Sequence, residues 1–449
     1  MSASAILHYE SPSPIYALDW CHTHGPNSSR ARSAFRIALG TFVEDYRNRI
    51  TIIGLPDETS LLEGSPGAGS NVSANGGAGG SDFVVLAEAM HGYPPTRLQW
   101  EPASAVGQSW PIKTSGAELL ATTGDALRVW EFLTENDGGV GPGSQASYVG
   151  RQGNAGLGGK LSQKIALSSS KNPNPSTPPL TSFAWNTISP SLIVTSSIDT
   201  TCTVWDISSS TAVTQLIAHD REVYDVAWVP HSTDAFVSVG ADGSLRAFDL
   251  RSLEHSTILY ETPTPPPPVK AEDGSPRTSA ASLLRVAFNP LDANYLATFH
   301  MDSPNVQVLD MRNPGQPVVE LKGHRGPVSA IGWGAAEGSM LATAGDDCQV
   351  LVWDLTSTMV AASANQQQQQ QQSRGPGLAS PRPPDSTTTR TVYDPALAWS
   401  GPAEISNLAW SPPMAGFSLG GGVHSQPGEW VVVSMALKYN MIGLVVLPG

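Results

Sequence analysis

The chain has few cysteines and no long apolar run. Its 449 residues include three cysteines, Cys21, Cys202 and Cys348, at unpaired spacings. That usage argues against a disulfide framework and favours a reducing compartment. No stretch of about 20 apolar residues is present, so we expect no membrane span. The first residues also lack the basic-then-apolar pattern of a secretory signal.

Basic residues are scarce as well. The chain has 25 Lys and Arg against 39 Asp and Glu, for a formal net charge of −14. No basic stripe appears, which argues against direct binding to nucleic-acid phosphates. Protein partners are more compatible with this charge.

What the chain does have is a repeat. Seven short alternating segments each end on a large aromatic: Trp20, Trp100, Trp185, Trp228, Phe288, Trp333 and Trp410. A second and a third alternating segment follow each aromatic, and a weaker fourth precedes the next. Apolar–polar alternation between turn residues predicts strands, and repeats of this size indicate a solenoid, propeller or array.

Four antiparallel strands in about seven units predict an all-β, seven-bladed β-propeller, with residues 1–449 as a single domain. Radial closure leaves only short protected strand edges. The last repeat ends at Leu447 without a fourth strand, and Ala5–Tyr9 precedes the first repeat. We therefore expect Ala5–Tyr9 to complete the last blade and close the ring.

Low-complexity inserts interrupt the repeats. They occupy residues 62–81, 134–159, 168–179, 262–281 and 361–390. Their Gly, Ser, Pro and Gln content cannot bury enough apolar area to order a chain, so we expect disordered loops. Three of the five fall between third and fourth strands, which places them on one face and keeps the opposite face mostly clear. Tolerance of insertions at turns would explain the same placement without any functional meaning.

One polar pattern recurs at fixed spacing and resembles the WD-repeat signature. The sixth repeat carries Gly323-His324 before its aromatic and Trp353-Asp354 at the end of its third strand. In that family a His, a Ser or Thr, an Asp and a Trp form a buried hydrogen-bond network. The matching residues are His324, Thr343, Asp347 and Trp353; His219, Ser238 and Asp242; and Thr195, Asp199 and Trp205.

Three enzymatic or cofactor-binding interpretations compete with this structural one. A His–Ser–Asp set suggests a hydrolase triad, but the same spacing recurs across repeats, which indicates a structural role. Cys21, His22 and His24 have no second ligand cluster to complete a zinc site. The Gly-rich stretch before Lys160 fails the phosphate-loop pattern. We predict no catalytic residues, no metal and no cofactor.

Longer strings resemble one family more specifically. TFVEDYRNRITIIGL (41–55), HGYPPTRLQWEP (91–102) and VSVGADGSLRAFDLRSLEHSTILYE (237–261) are similar to the adaptor family of plant Transparent Testa Glabra and animal cullin-four-associated factor seven. The resemblance covers essentially every expected strand and leaves out the inserts. It implies a non-enzymatic scaffold for protein kinases or transcription factors, in cytoplasm and nucleus.

The same resemblance implies an alternative function as substrate receptor of a cullin–RING ubiquitin ligase, which some WD-repeat proteins join through a W-D-x-R motif. The nearest matches here are Phe248–Arg251 and Leu309–Arg312, neither of which has the Trp. Arg251 and Arg312 are the candidate docking residues, and the ligase function is the weaker interpretation.

Partner-binding residues are expected on the clear face. Interfaces concentrate their energy in a few aromatic and Arg anchors. The candidates in the approaches to the first strands and in one turn are Tyr93, Arg221, Tyr224, Arg285, Arg325 and Asp346. An ordinary exposed side chain is the alternative for each. We expect a monomeric propeller with protein partners.

Overall fold

The computed structural model describes residues 6–22, 35–55, 82–105, 108, 112–134, 158–168, 177–263, 281–335, 338–356, 389–412, 429–435 and 441–447. Within those ranges the elements with defined bounds are 29 β-strands and one 3-10 turn at Ala103–Ala105. None of the described helical segments is long and apolar enough to cross a membrane. The all-β class predicted from the alternating segments is therefore confirmed for this part of the chain.

The chain divides into two compact units. The first contains Met1–Pro175, Ile207–Ser210 and Ala409–Gly449, and the second contains Ser176–Asp206 and Thr211–Leu408. One boundary between the units, at Pro175 and Ser176, falls within the predicted insert 168–179, and the others fall outside the inserts.

Two complete four-stranded sheets lie in the first unit. Each follows chain order, with antiparallel neighbours throughout. Their strands are β2 (Ile15–Trp20), β3 (Arg36–Thr41), β4 (Asn48–Gly54) and β5 (Val84–His91), and then β6 (Arg97–Trp100), β7 (Glu118–Thr123), β8 (Leu127–Thr134) and β9 (Gly159–Leu167).

A third sheet joins both ends of the described chain. Its order is β1 (Ile6–Glu10), β29 (Met441–Leu447), β28 (Glu429–Met435) and β27 (Ile405–Trp410). Strand β1 pairs antiparallel with β29, from Ile6 opposite Val445 to Glu10 opposite Met441. The predicted N-terminal closing strand is therefore confirmed, shifted by one residue at each end.

Four further sheets belong to the second unit. Three keep chain order: β10 (Leu180–Trp185) to β13 (Thr211–Ile217), β14 (Val223–Trp228) to β17 (Ser252–Glu261), and β18 (Leu283–Phe288) to β21 (Pro317–Lys322). The fourth runs β22 (Val328–Trp333), β23 (Met340–Gly345), β24 (Gln349–Asp354) and β26 (Leu397–Ser400). The intervening strands are β11 (Leu192–Ser197), β12 (Thr201–Asp206), β15 (Ala235–Gly240), β16 (Ser244–Asp249), β19 (Tyr295–His300) and β20 (Asn305–Asp310).

One strand was not expected from the sequence. β25 (Arg390–Val392) pairs in parallel with the outer strand β21 and makes that sheet five-stranded. It begins at the last residue of the predicted 361–390 insert, so that boundary was wrong by one residue. The short strand was overlooked because it directly follows a Ser/Thr/Pro-rich sequence, which predicts a loop.

Other insert boundaries also differ from the predicted ones, because strand pairing extends into the end residues of the inserts. Thr134 ends β8 and pairs with Gly159 at the start of β9. Thr262 is buried, and its hydroxyl donates to the Gly243 carbonyl at 2.8 Å. The interiors of the five predicted inserts lie outside the described residues.

Each unit has its own apolar core between sheets. In the first unit, Trp20, Phe35, Ile37 and Leu39 pack with Leu7 and Tyr9 of the closing strand. In the second unit, Trp228, Phe236 and Phe248 lie in one cluster, and Trp333 and Trp353 lie in another. Six of the seven repeated aromatics are thus buried ends of first strands, as their alternation predicts, and Phe288 is half-buried.

Candidate interaction surfaces and the network beneath them

A buried chain of hydrogen bonds links β23, β24, the turn between them and the segment that precedes β22. His324 Nδ1 lies 3.0 Å from Asp347 Oδ1, and His324 Nε2 lies 2.8 Å from Thr343 Oγ1. Trp353 Nε1 donates to the same Thr343 hydroxyl at 3.0 Å. The four residues singled out in the sixth repeat therefore meet, and each buried polar group has a partner.

The sheet β14–β17 repeats most of this arrangement. His219 Nδ1 lies 3.0 Å from Asp242 Oδ1, and His219 Nε2 lies 2.7 Å from Ser238 Oγ. Phe248 replaces the indole and stacks on Phe236, with ring centroids 5.0 Å apart and an interplanar angle of 14°. The missing indole donor is replaced by an aromatic contact within the core.

The sheet β10–β13 keeps only part of the network. Trp205 Nε1 donates to Thr195 Oγ1 at 2.9 Å. The Asp199 carboxylate instead accepts from the hydroxyl of Thr201 at 2.6 Å and from its N–H at 3.1 Å. Grouping Asp199 with Thr195 and Trp205 was therefore wrong, because the His position nine residues before Trp185 is Ser176.

The three Asp residues nevertheless share one turn geometry. Asp199, Asp242 and Asp347 each accept the N–H two residues further on through Oδ1, at 3.1, 3.0 and 3.2 Å. The residue after each Asp has a positive φ: 73° at Thr200, 77° at Gly243 and 63° at Cys348. Such Asx turns tie the tight connection between second and third strands to the buried network.

Asp242 makes the network sensitive to acid. Burial raises the pKa of this carboxyl, but the hydrogen bond and charge of His219 and the donors of Ser244 outweigh burial, so the net pKa is below its ordinary value of 3.8. A lowered folded-state pKa contributes stability above the unfolded-state pKa, and that contribution is lost as pH falls below about 4.

Asp242→Asn should therefore destabilise the protein at pH 7 and have less effect at pH 3. Chemical unfolding of wild type and variant across that range checks the expectation. A difference in unfolding free energy that stays constant down to pH 3 would contradict it. Asp354→Asn is the comparison, at an Asp whose pKa is also lowered, but by hydrogen bonds from Thr356 and without a histidine. The same pH dependence in both variants would show that the contact with His219 is not its cause.

The second sheet of the first unit carries a variant of this network. His91 Nε2 lies 3.1 Å from Thr122 Oγ1, to which Trp130 Nε1 donates at 3.0 Å. Asp125 pairs instead with Arg128, with Asp125 Oδ1 2.6 Å from Arg128 Nη1. Thr122 lies eight residues before Trp130, whereas Thr343 lies ten residues before Trp353, so the spacing of the sixth repeat does not identify Thr122.

The first unit carries two contacting aromatic pairs, Tyr16 with Phe42 and Tyr46 with Tyr93, here called together the aromatic cluster. Phe42, Tyr46 and Tyr93 are exposed, and Tyr16 is half-buried. Tyr46 and Tyr93 meet edge to face at 5.5 Å, and Tyr16 and Phe42 lie 5.9 Å apart. Tyr46 is 73% exposed and Tyr93 40% exposed. His91 Nδ1 contacts the Tyr93 carbonyl, so the buried network fixes the main chain of Tyr93.

Only Tyr93 of this cluster was a candidate from the sequence. Phe42 and Tyr46 occupy the turn between β3 and β4, and Tyr16 is on the first strand β2. Turns between second and third strands share a face with the approaches to first strands, so the FVEDYR turn held a usable signal.

In the second unit the predicted candidates differ in accessibility. Arg221 is exposed, and its Nε lies 3.7 Å from Glu222 Oε2. Tyr224 and Arg285 are half-buried. The Arg285 carbonyl accepts from Thr298 Oγ1 at 2.8 Å, which fixes the main chain at this position.

Arg325 and Asp346 are both exposed beside the network of the sixth repeat. The Arg325 N–H donates to Asp347 Oδ2 at 2.9 Å. Partial burial raises the pKa of Asp346, and the charges of Glu404, Asp347 and Asp302 raise it further. This surface is locally acidic.

Each of the two candidate ligase-docking residues forms an ion pair with the Asp two residues before it, in a forked arrangement. Arg251 Nη2 lies 2.6 Å from Asp249 Oδ2, and Arg312 Nη2 lies 2.7 Å from Asp310 Oδ2. The Arg312 guanidinium also stacks over the Tyr295 ring at 5.4 Å. Arg251 is the more accessible, with 73% of its side chain exposed against 40% for Arg312.

Within the described ranges, no group of three or more His, Cys, Asp or Glu side chains is arranged to hold a metal ion. Cys21 Sγ donates instead to Glu118 Oε1 at 3.6 Å. His24 lies outside the described residues.

Comparison with known proteins gives concordant matches. The WD domain, G-beta repeat model matches residues 210–249 and 315–354. A Dictyostelium discoideum protein named DDB1- and CUL4-associated factor 7 homolog is 37% identical over 442 residues, 98% of this chain and 99% of that protein. An uncharacterised WD repeat-containing protein of Schizosaccharomyces pombe is 36% identical over 90% of this chain and 85% of its own length. These matches and the sheets described above place the fold in the all-β WD40 propeller class.

Proposed function

Because this chain belongs to the family of DDB1- and CUL4-associated factor 7, we propose that it is a non-enzymatic adaptor, a WD-repeat scaffold that brings other proteins together. We propose seven blades, one for each of the seven sheets among the described residues. The partners we propose are protein kinases and transcription regulators, met in cytoplasm and nucleus. On the resemblance of residues 41–55, 91–102 and 237–261 to plant Transparent Testa Glabra, we propose the same scaffold role.

The observation that carries this proposal is the aromatic cluster. Exposed Tyr and Phe rings that touch each other give large, rigid contact area at low entropic cost, which is why aromatic residues are enriched at interface hot spots. Tyr93 is held through its carbonyl by His91, and the Asn48 side chain holds the turn that carries Phe42 and Tyr46 by accepting from Val43 N at 2.8 Å. A surface fixed in this way loses little freedom on binding.

Tyr46→Ala and Tyr93→Ala test the proposal directly. Each should weaken capture of the native partners by roughly tenfold, the scale of a moderate hot spot. Each should leave thermal stability nearly unchanged, because exposed side chains contribute little to folding. Quantitative affinity purification from the native cell, followed by mass spectrometry, measures the first effect, and thermal unfolding measures the second.

Tyr393→Ala is the matched control, since Tyr393 is an exposed tyrosine outside the cluster. Equal capture by all three variants and wild type would refute the role of the aromatic cluster. A lowered melting temperature would instead make Tyr46 or Tyr93 structural.

A second candidate function is substrate receptor of a cullin–RING ligase. The paired Asp–Arg forks at Arg251 and Arg312 and the name of the Dictyostelium relative favour it. Arg251→Ala and Arg312→Ala should then deplete cullin-ligase subunits from the purified assembly while kinases and transcription regulators remain. Retention of the ligase subunits by both variants would remove these residues from the docking surface.

A further inference from the structure

The outer strand β13 has an unusual edge. Its sequence, TAVTQLI, contains no charged residue and no proline over seven residues. Val213 is 56% exposed and Ile217 is 82% exposed, the highest exposure among the large apolar side chains described. Exposed, uncharged, β-branched edges are templates for pairing with another chain, and proteins ordinarily block them.

The other long outer strands carry such blocks. β5 contains Glu88, β9 contains Lys160 and Lys164, and β17 contains Glu261. At the edge of β1, the His8 N–H donates to the Asp82 carboxylate at 2.8 Å. β13 is therefore the exception among outer strands of comparable length in the described chain.

The main chain of β13 is oriented for pairing. Thr201 lies opposite Ile217 on β12, and the Ala218 N–H donates to the Thr200 carbonyl at 2.9 Å. In an antiparallel ladder, hydrogen-bonded and non-hydrogen-bonded pairs alternate. The N–H and C=O groups of Ile217 and Gln215 consequently point away from β12, and none of the described strands pairs with that edge.

The chain itself shows that an outer strand accepts a further strand. Strand β25 adds to the outer strand β21 in parallel, with Arg390, Thr391 and Val392 opposite Val319, Glu320 and Leu321. The Thr389 hydroxyl donates to the Pro317 carbonyl at 2.8 Å and marks the start of the pairing. An extended segment of only a few residues, with β-branched side chains, is thus enough to form a fifth strand.

We propose that β13 is a docking edge for an extended segment of a partner protein, which pairs with Gln215 and Ile217 as a fifth strand. Main-chain hydrogen bonds would give affinity, and apolar or β-branched side chains beside Val213 and Ile217 would give specificity. The partner segment should carry no charge at those positions. This inference rests on the proposed scaffold function and adds a second surface to it.

A second copy of this chain is a poorer occupant. An edge of seven residues is about 23 Å long and about 10 Å thick, which gives a footprint of about 230 Å². A stable protein–protein interface needs about 800 Å² on each partner. A peptide segment anchored elsewhere on the scaffold does not need to meet that requirement with this edge alone.

Ile217→Lys places a charge at the edge, and Gln215→Pro removes an outward N–H without interrupting the ladder to β12. Both should reduce capture of a subset of partners at least tenfold, measured by quantitative affinity purification of the full chain. Ile258→Lys is the matched control, because Ile258 is a 48% exposed isoleucine on the outer strand β17.

A photo-crosslinking side chain at position 213 should join an uncharged, extended segment of a partner from that subset. In that complex, the amides of Gln215 and Ile217 should become protected from hydrogen exchange.

Crosslinks only to a second copy of the chain, or a crosslinked helical or charged segment, would overturn the proposal. So would equal losses in Ile217→Lys and Ile258→Lys. If wild type captures partners and the edge variants capture them equally well, the docking role of β13 is refuted, while the proposed scaffold function stands. If wild type captures no partner protein, the proposed scaffold function fails with it.

Discussion

Replacing Glu118 with leucine should lower the free energy of unfolding by about 3–5 kcal/mol, the range for removing one member of a buried ion pair. Glu118 forms an ion pair with Arg36, and both side chains are 9% exposed. The Arg36 guanidinium also lies over the Phe132 ring at 5.2 Å, and its buried Nε has no hydrogen-bond partner among the described residues. Without Glu118, a buried positive charge would be left with the aromatic ring as its main counterpart.

The double variant Arg36→Met/Glu118→Leu is the control for this pair. Removing both charges together leaves neither uncompensated, and apolar side chains of similar volume suit the surrounding core. Urea unfolding of wild type, both single variants and the double variant closes a mutant cycle. A double variant less stable than either single variant would contradict the interpretation.

Replacing Thr343 with valine should lower the free energy of unfolding by about 2–4 kcal/mol. Val has the same shape but no hydroxyl, so His324 Nε2 and Trp353 Nε1 lose the oxygen that both contact at 2.8 and 3.0 Å. Thr343 is fully buried, so no water replaces it. Each buried polar group left unpaired costs about 1–3 kcal/mol.

Thr343→Ser keeps the hydroxyl and should retain most of the stability, losing only the contribution of one buried methyl. Urea unfolding of the two variants separates the hydrogen bonds from the packing of the methyl group. If the Ser variant proves as unstable as the Val variant, packing and not the network explains the conservation of geometry between repeats.

The second of these sites has a functional meaning. Asp347 of the Thr343 network accepts from the N–H of Arg325, one of the proposed partner-binding residues. A destabilised network should therefore loosen the surface above it, so partner binding by Thr343→Val has to be compared at a temperature where the variant remains folded.

The repeated pattern alone determined the strands and their grouping. Alternation ending at Trp20 and its six counterparts predicts first strands whose aromatic ends are buried, and the structure has β2, β6, β10, β14, β18, β22 and β27 at those places. The unpaired last repeat and the apolar N-terminal run likewise predict the pairing of β1 with β29. Local periodicity is sufficient here because each repeat forms its sheet from neighbouring segments.

The sequence also determined the His–Thr–Asp–Trp set of the sixth repeat, since its four members keep a fixed spacing within one sheet. Spacing failed at Asp199, which lacks a histidine to meet and accepts from Thr201 instead. A side chain's partner depends on which other groups reach the same turn, and this is not encoded in the local pattern.

Only the tertiary structure decided the remaining features. Arg36 and Glu118 are 82 positions apart and come from different sheets. Tyr46 meets Tyr93 because two connections converge on one face, and β25 lies beside β21 across a long insertion. Contacts of this kind arise when separate sheets pack, so no periodicity of strands or turns records them, and the surfaces proposed to bind partners are made of them.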